Sequence, residues 1–180
     1  MYLWNKVNIP HKGWEYVGIV DLGENTPSEE IPYEHCELCG NERIRYVHIL
    51  RHPKYNGELR VGCDCASNLL NNYNEPQNNE RHCRNRTNRK INFMKREWNF
   101  VERTGNYTLK YKGENITIMK SKYGPTWGVV YRGKSTWNYD GRKIYDFDTA
   151  KQVAFNVFDE NYDWLNYHFI TLYYKINREY

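Results

Sequence analysis

The chain is short of aliphatic residues and has no long run of them. Hydrophobic residues fill 39% of its 180 positions, and the mean hydropathy is −0.95. No window approaches the ~20 apolar residues that a membrane-spanning helix needs, so no membrane partner is expected. The opening stretch, MYLWNKVNIPHKGW, lacks the apolar centre of a secretory signal, which points to a cytoplasmic protein. Walker, dinucleotide-binding and nucleophile-elbow motifs are missing, as is the His-x-Glu…Pro-Cys-x-x-Cys signature of a zinc deaminase. An enzymatic role therefore ranks below a binding role. Disorder is excluded from the other direction. The 17 Tyr, 6 Trp and 6 Phe can build a thin, aromatic core, because each buried ring removes a large apolar area from water.

What the chain does have is cysteine in close pairs. In a reducing compartment such pairs hold metal more often than they form disulfides. Cys36-x-x-Cys39-Gly40 reads as a knuckle, with Gly40 free to take the positive-φ turn that aims amides at sulfur. Residues 43–50 read as a strand carrying Ile44, Tyr46 and His48 on one face. Asn56-Gly57 is a strong hairpin signal, and Cys63-Asp64-Cys65 falls where the returning strand meets a helix at Ala66–Leu70. Four thiolates at this spacing predict one tetrahedral Zn²⁺ on Cys36, Cys39, Cys63 and Cys65, with His35, His48, His52 and Cys83 as substitute ligands. A closed set of four would make the ion structural and would supply folding energy where aliphatic core is scarce. The fifth cysteine, Cys83, stands alone among arginines, which predicts a lowered thiol pKa and rapid labelling.

Charge is uneven. Between Arg81 and Arg103 eight cations (Arg81, Arg84, Arg86, Arg89, Lys90, Lys95, Arg96, Arg103) face only Glu97 and Glu102, so this segment more than accounts for the +4 of the whole chain. Ile91, Met94, Trp98 and Val101 recur at helical spacing there. The preceding NNYNEPQNN, residues 71–79, reads as a linker. From Asn106 the period changes to two, predicting four short strands in YTLKYKG, NITIMKS, TWGVVYRG and STWNYDG, separated by glycine turns. Ala150, Val153, Ala154, Val157 and Phe158 then form a helical stripe behind Asp148 or Thr149 as N-cap. Trp164 to Tyr173 would suit another helix.

The expected organisation is α+β: strands and a zinc module over 1–75, a basic helix over 76–104, and a short antiparallel sheet packed by a helix over 105–180. The knuckle, hairpin and helix resemble a treble-clef or zinc-ribbon-like module. With the following Arg-rich segment, CxxCG…VGCxCA is similar to a class of uncharacterised bacterial and phage proteins, which implies a phage or mobile-element origin. HILRHP between the cysteine pairs resembles HNH nucleases, which would imply His48 as base with His52 and Asn68 as helpers; the His usual on the following helix is absent. The sheet and helix of Ile116–Glu160 resemble AP2 and integrase-arm DNA-binding domains, and the α-β-β-β-α order is similar to double-stranded RNA-binding domains.

Nucleic-acid binding is the function expected first. Arg81, Arg84, Arg86, Arg89, Lys90 and Arg96 would contact phosphates from the helix, and Lys120, Lys122 and Arg132 from the sheet, where Trp127 would stack on a base or sugar. Lys134, Trp137, Tyr123 and Tyr131 are candidates beside them. A protein-binding inhibitor module, such as a phage-encoded factor acting on a host or defence enzyme, is the alternative, and a degenerate HNH-like nuclease the third.

Overall fold

A computed structural model of the chain describes residues 9–24, 26 and 30–160; the helix expected over Trp164 to Tyr173 lies outside them. The fold is α+β and divides into two compact units, one running to Thr87 and the other starting at Asn88.

In the first unit, β1 (Glu15–Asp21), β2 (Tyr46–Arg51) and β3 (Glu58–Val61) form an antiparallel sheet in the order β1-β2-β3. The β2–β3 hairpin forms, but its connection is the six-residue loop 52–57 and not a two-residue turn. The Tyr55 amide bonds back to His52 O at 3.0 Å, and Asn56-Gly57, with Gly57 at φ +92°, leads into β3. Both faces of β2 are covered, so Val47, His48, Ile49 and Leu50 are all buried. Behind β3 comes α1 (Cys63–Leu70). Trp14, Leu38, Val47, Leu50, Leu59, Val61, Ala66 and Leu69 make the core.

A buried carboxylate organises one end of this unit. The side chain of Asp21 is 4% exposed. It accepts two bonds from the Arg45 guanidinium, at 2.7 and 3.0 Å, one from Thr87 Oγ1 at 2.7 Å and one from the Gly23 amide at 2.9 Å. A buried charge is tolerable only when paired and hydrogen-bonded in this way. Gly23 makes room for the arginine: a Cβ there would lie 2.8 Å from the Arg45 guanidinium, which would have to shift.

The next helix, α2 (Asn74–Met94), starts earlier than expected and absorbs much of the stretch read as a linker. Asn72 explains the difference. Its Oδ1 accepts from the Asn74 and Glu75 amides and its Nδ2 donates to Glu75, a capping arrangement that turns asparagines from turn-formers into a helix start. Pro76 then sits in the first turn, where its missing N–H costs little. The helix also ends before the expected apolar stripe is complete: the Arg96 amide bonds back to Phe93 O, and Trp98 lies beyond it. Ile91 is consequently exposed, and Phe93 is the fully buried ring.

In the second unit, β4 (Asn99–Val101), β5 (Asn106–Tyr111), β6 (Glu114–Lys120), β7 (Trp127–Tyr131) and β8 (Lys134–Thr136) form a five-stranded antiparallel meander in chain order. The four expected strands are present, with the last divided into β8 and a small hairpin of β9 (Asn138–Tyr139) and β10 (Arg142–Lys143). Leu109, Ile116, Ile118, Val129 and Tyr131 face α3 (Phe147–Glu160), which buries Ala150, Val153, Ala154, Phe155 and Phe158 against them. The cap of α3 is Asp146, two to three residues before the expected position; it takes the Thr149 amide and hydroxyl at 2.7 Å each. On the other face of the sheet, Trp137 lies flat on Gly128, where any Cβ would meet its ring at 2.7 Å.

Candidate metal centre and cationic surface

The knuckle forms as its spacing predicts. The Gly40 amide bonds back to Cys36 O at 2.8 Å, with Gly40 at φ +76°. The Cys36 amide donates to Asn41 O at 2.7 Å. At the far side of the hairpin the Gly62 amide donates to Cys36 Sγ at 3.5 Å. Cys36, Cys39 and Cys65 thereby converge, their sulfurs all within 4.8 Å of one another. Sulfurs at the corners of a zinc tetrahedron stand about 3.8 Å apart, given Zn–S bonds of about 2.3 Å. The group could therefore hold a metal ion. Its electrostatics suit one: the Cys65 thiol and the amides of Cys39, Gly62 and Leu38 push the ionisation of Cys36 down, while the Cys65 thiol, donating to Cys36, is held up.

Cys63 is not in this group. It lies with His48 and Glu80, whose ligand atoms also fall within 4.8 Å of one another. Helix geometry gives the reason. Cys63 and Cys65 both belong to α1, and positions two apart on a helix project about 200° apart. Burial and the Glu80 and Asp64 carboxylates raise the Cys63 thiol to about 11. Among the described residues no fourth Cys, His, Asp or Glu joins Cys36, Cys39 and Cys65.

The substitute ligands go elsewhere. His35 is exposed beside Glu42. His52 is bonded to Lys12 O and to the Lys54 amide. Cys83 is half-buried; burial, then the Asp21 and Glu80 carboxylates, raise its thiol to about 12. That corrects the expectation of a lowered pKa, because the neighbouring arginines are turned to carboxylates of their own. The residues of the nuclease resemblance are also separately engaged: His48 Nδ1 with Tyr16 OH at 3.1 Å, and Asn68 Oδ1 with the Tyr73 hydroxyl at 2.9 Å.

Internal pairing claims much of the cationic helix. Arg86 pairs with Glu24 and its side chain is 11% exposed. Arg89 grips Asp159 through Nε and Nη2, at 3.1 and 3.3 Å. Lys90 is 7% exposed. Arg84 bonds Glu80 at 2.7 Å and lies over the Tyr46 ring. Arg81 and Arg96 stay at the surface, Arg96 over the Tyr111 ring. On the sheet, Trp127 is turned to the core side against Phe147 and Tyr107, and Arg132 is tied to Glu114.

Lys120 and Lys122 remain exposed, and Tyr123 beside them is 99% exposed. Lys120 Nζ rides over the Trp127 ring at 5.0 Å. Trp127 pairs with Lys120 on one side and bridges Ile144 on the other, which brings Lys143 and Tyr145 to the same corner. Lys120, Lys122 and Lys143 make no ion pair among the described residues. Comparison of the chain with protein-family models, curated proteins and solved structures gives no match.

Proposed function

We propose that the chain is a zinc-stabilised nucleic-acid-binding protein whose contact surface is the lysine and tyrosine corner of the second unit. In this reading Cys36, Cys39 and Cys65 hold a Zn²⁺ through three thiolates and complete a treble-clef-like module. The ion ties the knuckle to the start of α1 and substitutes for missing aliphatic core. The observation that carries the binding role is Tyr123, 99% exposed beside Lys122 in the β6–β7 turn. A ring held in water beside unpaired lysines costs hydration and gains nothing within the fold. It suits a base-stacking platform flanked by phosphate contacts. The arginine helix is a poorer candidate, because Arg86, Arg89 and Lys90 are engaged or covered within the protein.

The test is fluorescence anisotropy with single-stranded DNA and RNA oligonucleotides at rising salt. Wild-type protein should bind at low salt and release steeply as salt rises. Lys122→Gln should reduce the log–log slope by about 0.7, the value for one single-strand phosphate contact. Tyr123→Ala should weaken binding by about 5- to 150-fold, from roughly 1–3 kcal/mol per stacked base. No complex at low salt would sink the reading. Salt-insensitive association with a protein would replace it by the inhibitor role.

A further inference from the structure

We propose that His48, Cys63 and Glu80 form a second metal site, separate from the three thiols, for a borderline divalent transition ion such as Zn²⁺. The residues come from three elements, β2, the first turn of α1 and α2, yet their ligand atoms lie within 4.8 Å of one another.

His48 is the decisive member. It is fully buried, and its Nε2 has no hydrogen-bond partner, an arrangement that ordinarily costs about 1–3 kcal/mol. Its nearest carboxylate oxygen, Glu80 Oε2, stands off at 3.9 Å. That is too long for a hydrogen bond, but near the roughly 3.3 Å edge between N and O ligands of one tetrahedral ion.

The surrounding contacts aim the donors at that point. Tyr16 OH engages Nδ1 at 3.1 Å, which leaves Nε2 as the ligating nitrogen. Arg84 takes Oε1 of Glu80 at 2.7 Å, which leaves Oε2 facing His48. Outer contacts of this kind fix ring orientation and carboxylate rotamer at metal sites. A catalytic relay would need the two histidine nitrogens shared between the cysteine and the carboxylate. Here Tyr16 holds one and the carboxylate faces the other.

One nitrogen, one sulfur and one oxygen favour a borderline ion over calcium or magnesium. Three protein ligands leave a corner for water, so this ion should exchange faster than one held at a closed site.

Zinc content after equilibration with buffered zinc tests the assignment. Wild-type protein should hold two ions per chain. Glu80→Ala and Cys63→Ala should each hold one, and Cys39→Ser should retain the ion at the second site. Glu80 is partly exposed on a helix, so its alanine variant should fold; far-UV circular dichroism checks this. Substituting Co²⁺ gives a second readout: Cys36→Ser/Cys39→Ser/Cys65→Ser protein should still show thiolate-to-cobalt absorption, which would come from Cys63, and adding Cys63→Ala should abolish it. A single ion in the wild type, lost in Cys63→Ala, would mean that Cys63 completes a four-thiol site and would overturn the proposal. So would two ions persisting in both Glu80→Ala and Cys63→Ala. Oligonucleotide binding enters none of these outcomes.

Discussion

Replacing Arg89 by Met separates a structural arginine from a nucleic-acid contact. Asp159 is 2% exposed, and Arg89 covers both its oxygens at 3.1 and 3.3 Å. Methionine keeps much of the length of the stem but removes the charge. Asp159 then loses both of these bonds while remaining out of water. Removing one partner of a buried pair costs about 3–5 kcal/mol. The Arg89 side chain is 26% exposed, so solvent screening brings the expectation to about 2–4 kcal/mol. Urea unfolding reads this directly: with m near 1.5 kcal/mol/M, a loss of ~3 kcal/mol lowers the midpoint of the second unit by about 2 M. Arg89→Met/Asp159→Asn should recover much of the loss, because the second change removes the buried charge that Arg89 balanced. A midpoint shift below about 0.5 M in the single variant, with oligonucleotide binding reduced, would refute this account and return Arg89 to the contact surface.

Gly128→Ala should cost about 1–3 kcal/mol by overpacking against Trp137, and Gly128→Ala/Trp137→Ala should be milder than the sum of its parts; paired thermal melts check both. Asp21→Ala should destabilise the first unit by several kcal/mol, since it strands the Arg45 guanidinium and removes the partner of Thr87 and the Gly23 amide; the unfolding transition of that unit should move while the other stays. Cys83 should react slowly with iodoacetamide in native protein at pH 8, as peptide mapping by mass spectrometry would record, because its thiol is raised to about 12. The same shift fixes a sign: the stability it contributes is complete below the unfolded thiol value of about 8.5, drains as pH rises toward 12, and should be missing from Cys83→Ala. Chelation should lower the melting temperature of the first unit and leave that of the second unchanged, as differential scanning calorimetry would show.

Elements specified by local chemistry were legible in the sequence. Asn56-Gly57 marks the β2–β3 connection though not its turn at His52–Tyr55, the period of two locates β5 to β7, and the stripe from Ala150 to Phe158 gives α3, each within about a dozen residues. Where the same residue types serve two structures, the sequence was ambiguous. Asn72 reads as a turn-former until its oxygen is seen capping α2. Much of the remainder depended on distant pairing. Arg89 meets Asp159 at a separation of 70 residues, and no periodicity reports that. At the metal centre the cysteines marked the region. The separation of Cys63 from Cys65 follows from the helix beginning at Cys63 and not three residues later. Glu80 had no visible signal apart from its position four residues before Arg84. The inward placement of His48 could have been inferred had β2 been read as covered on both faces.

Three sulfurs within 4.8 Å of one another also determine what an oxidant does to this protein. The Cys65 thiol and the surrounding amides favour ionisation of Cys36, and thiolate is the form that peroxide attacks once it reaches the buried sulfur. A sulfenic acid on Cys36 would have Cys39 and Cys65 within reach to condense with it, closing one S–S bond and leaving the third thiol behind. Oxidised chains would then keep the knuckle closed while losing two of three metal donors. A reducing agent would restore them by thiol–disulfide exchange. The capacity of these three cysteines for an ion would thus be a redox quantity, set by the thiol poise around the chain as much as by the metal supply.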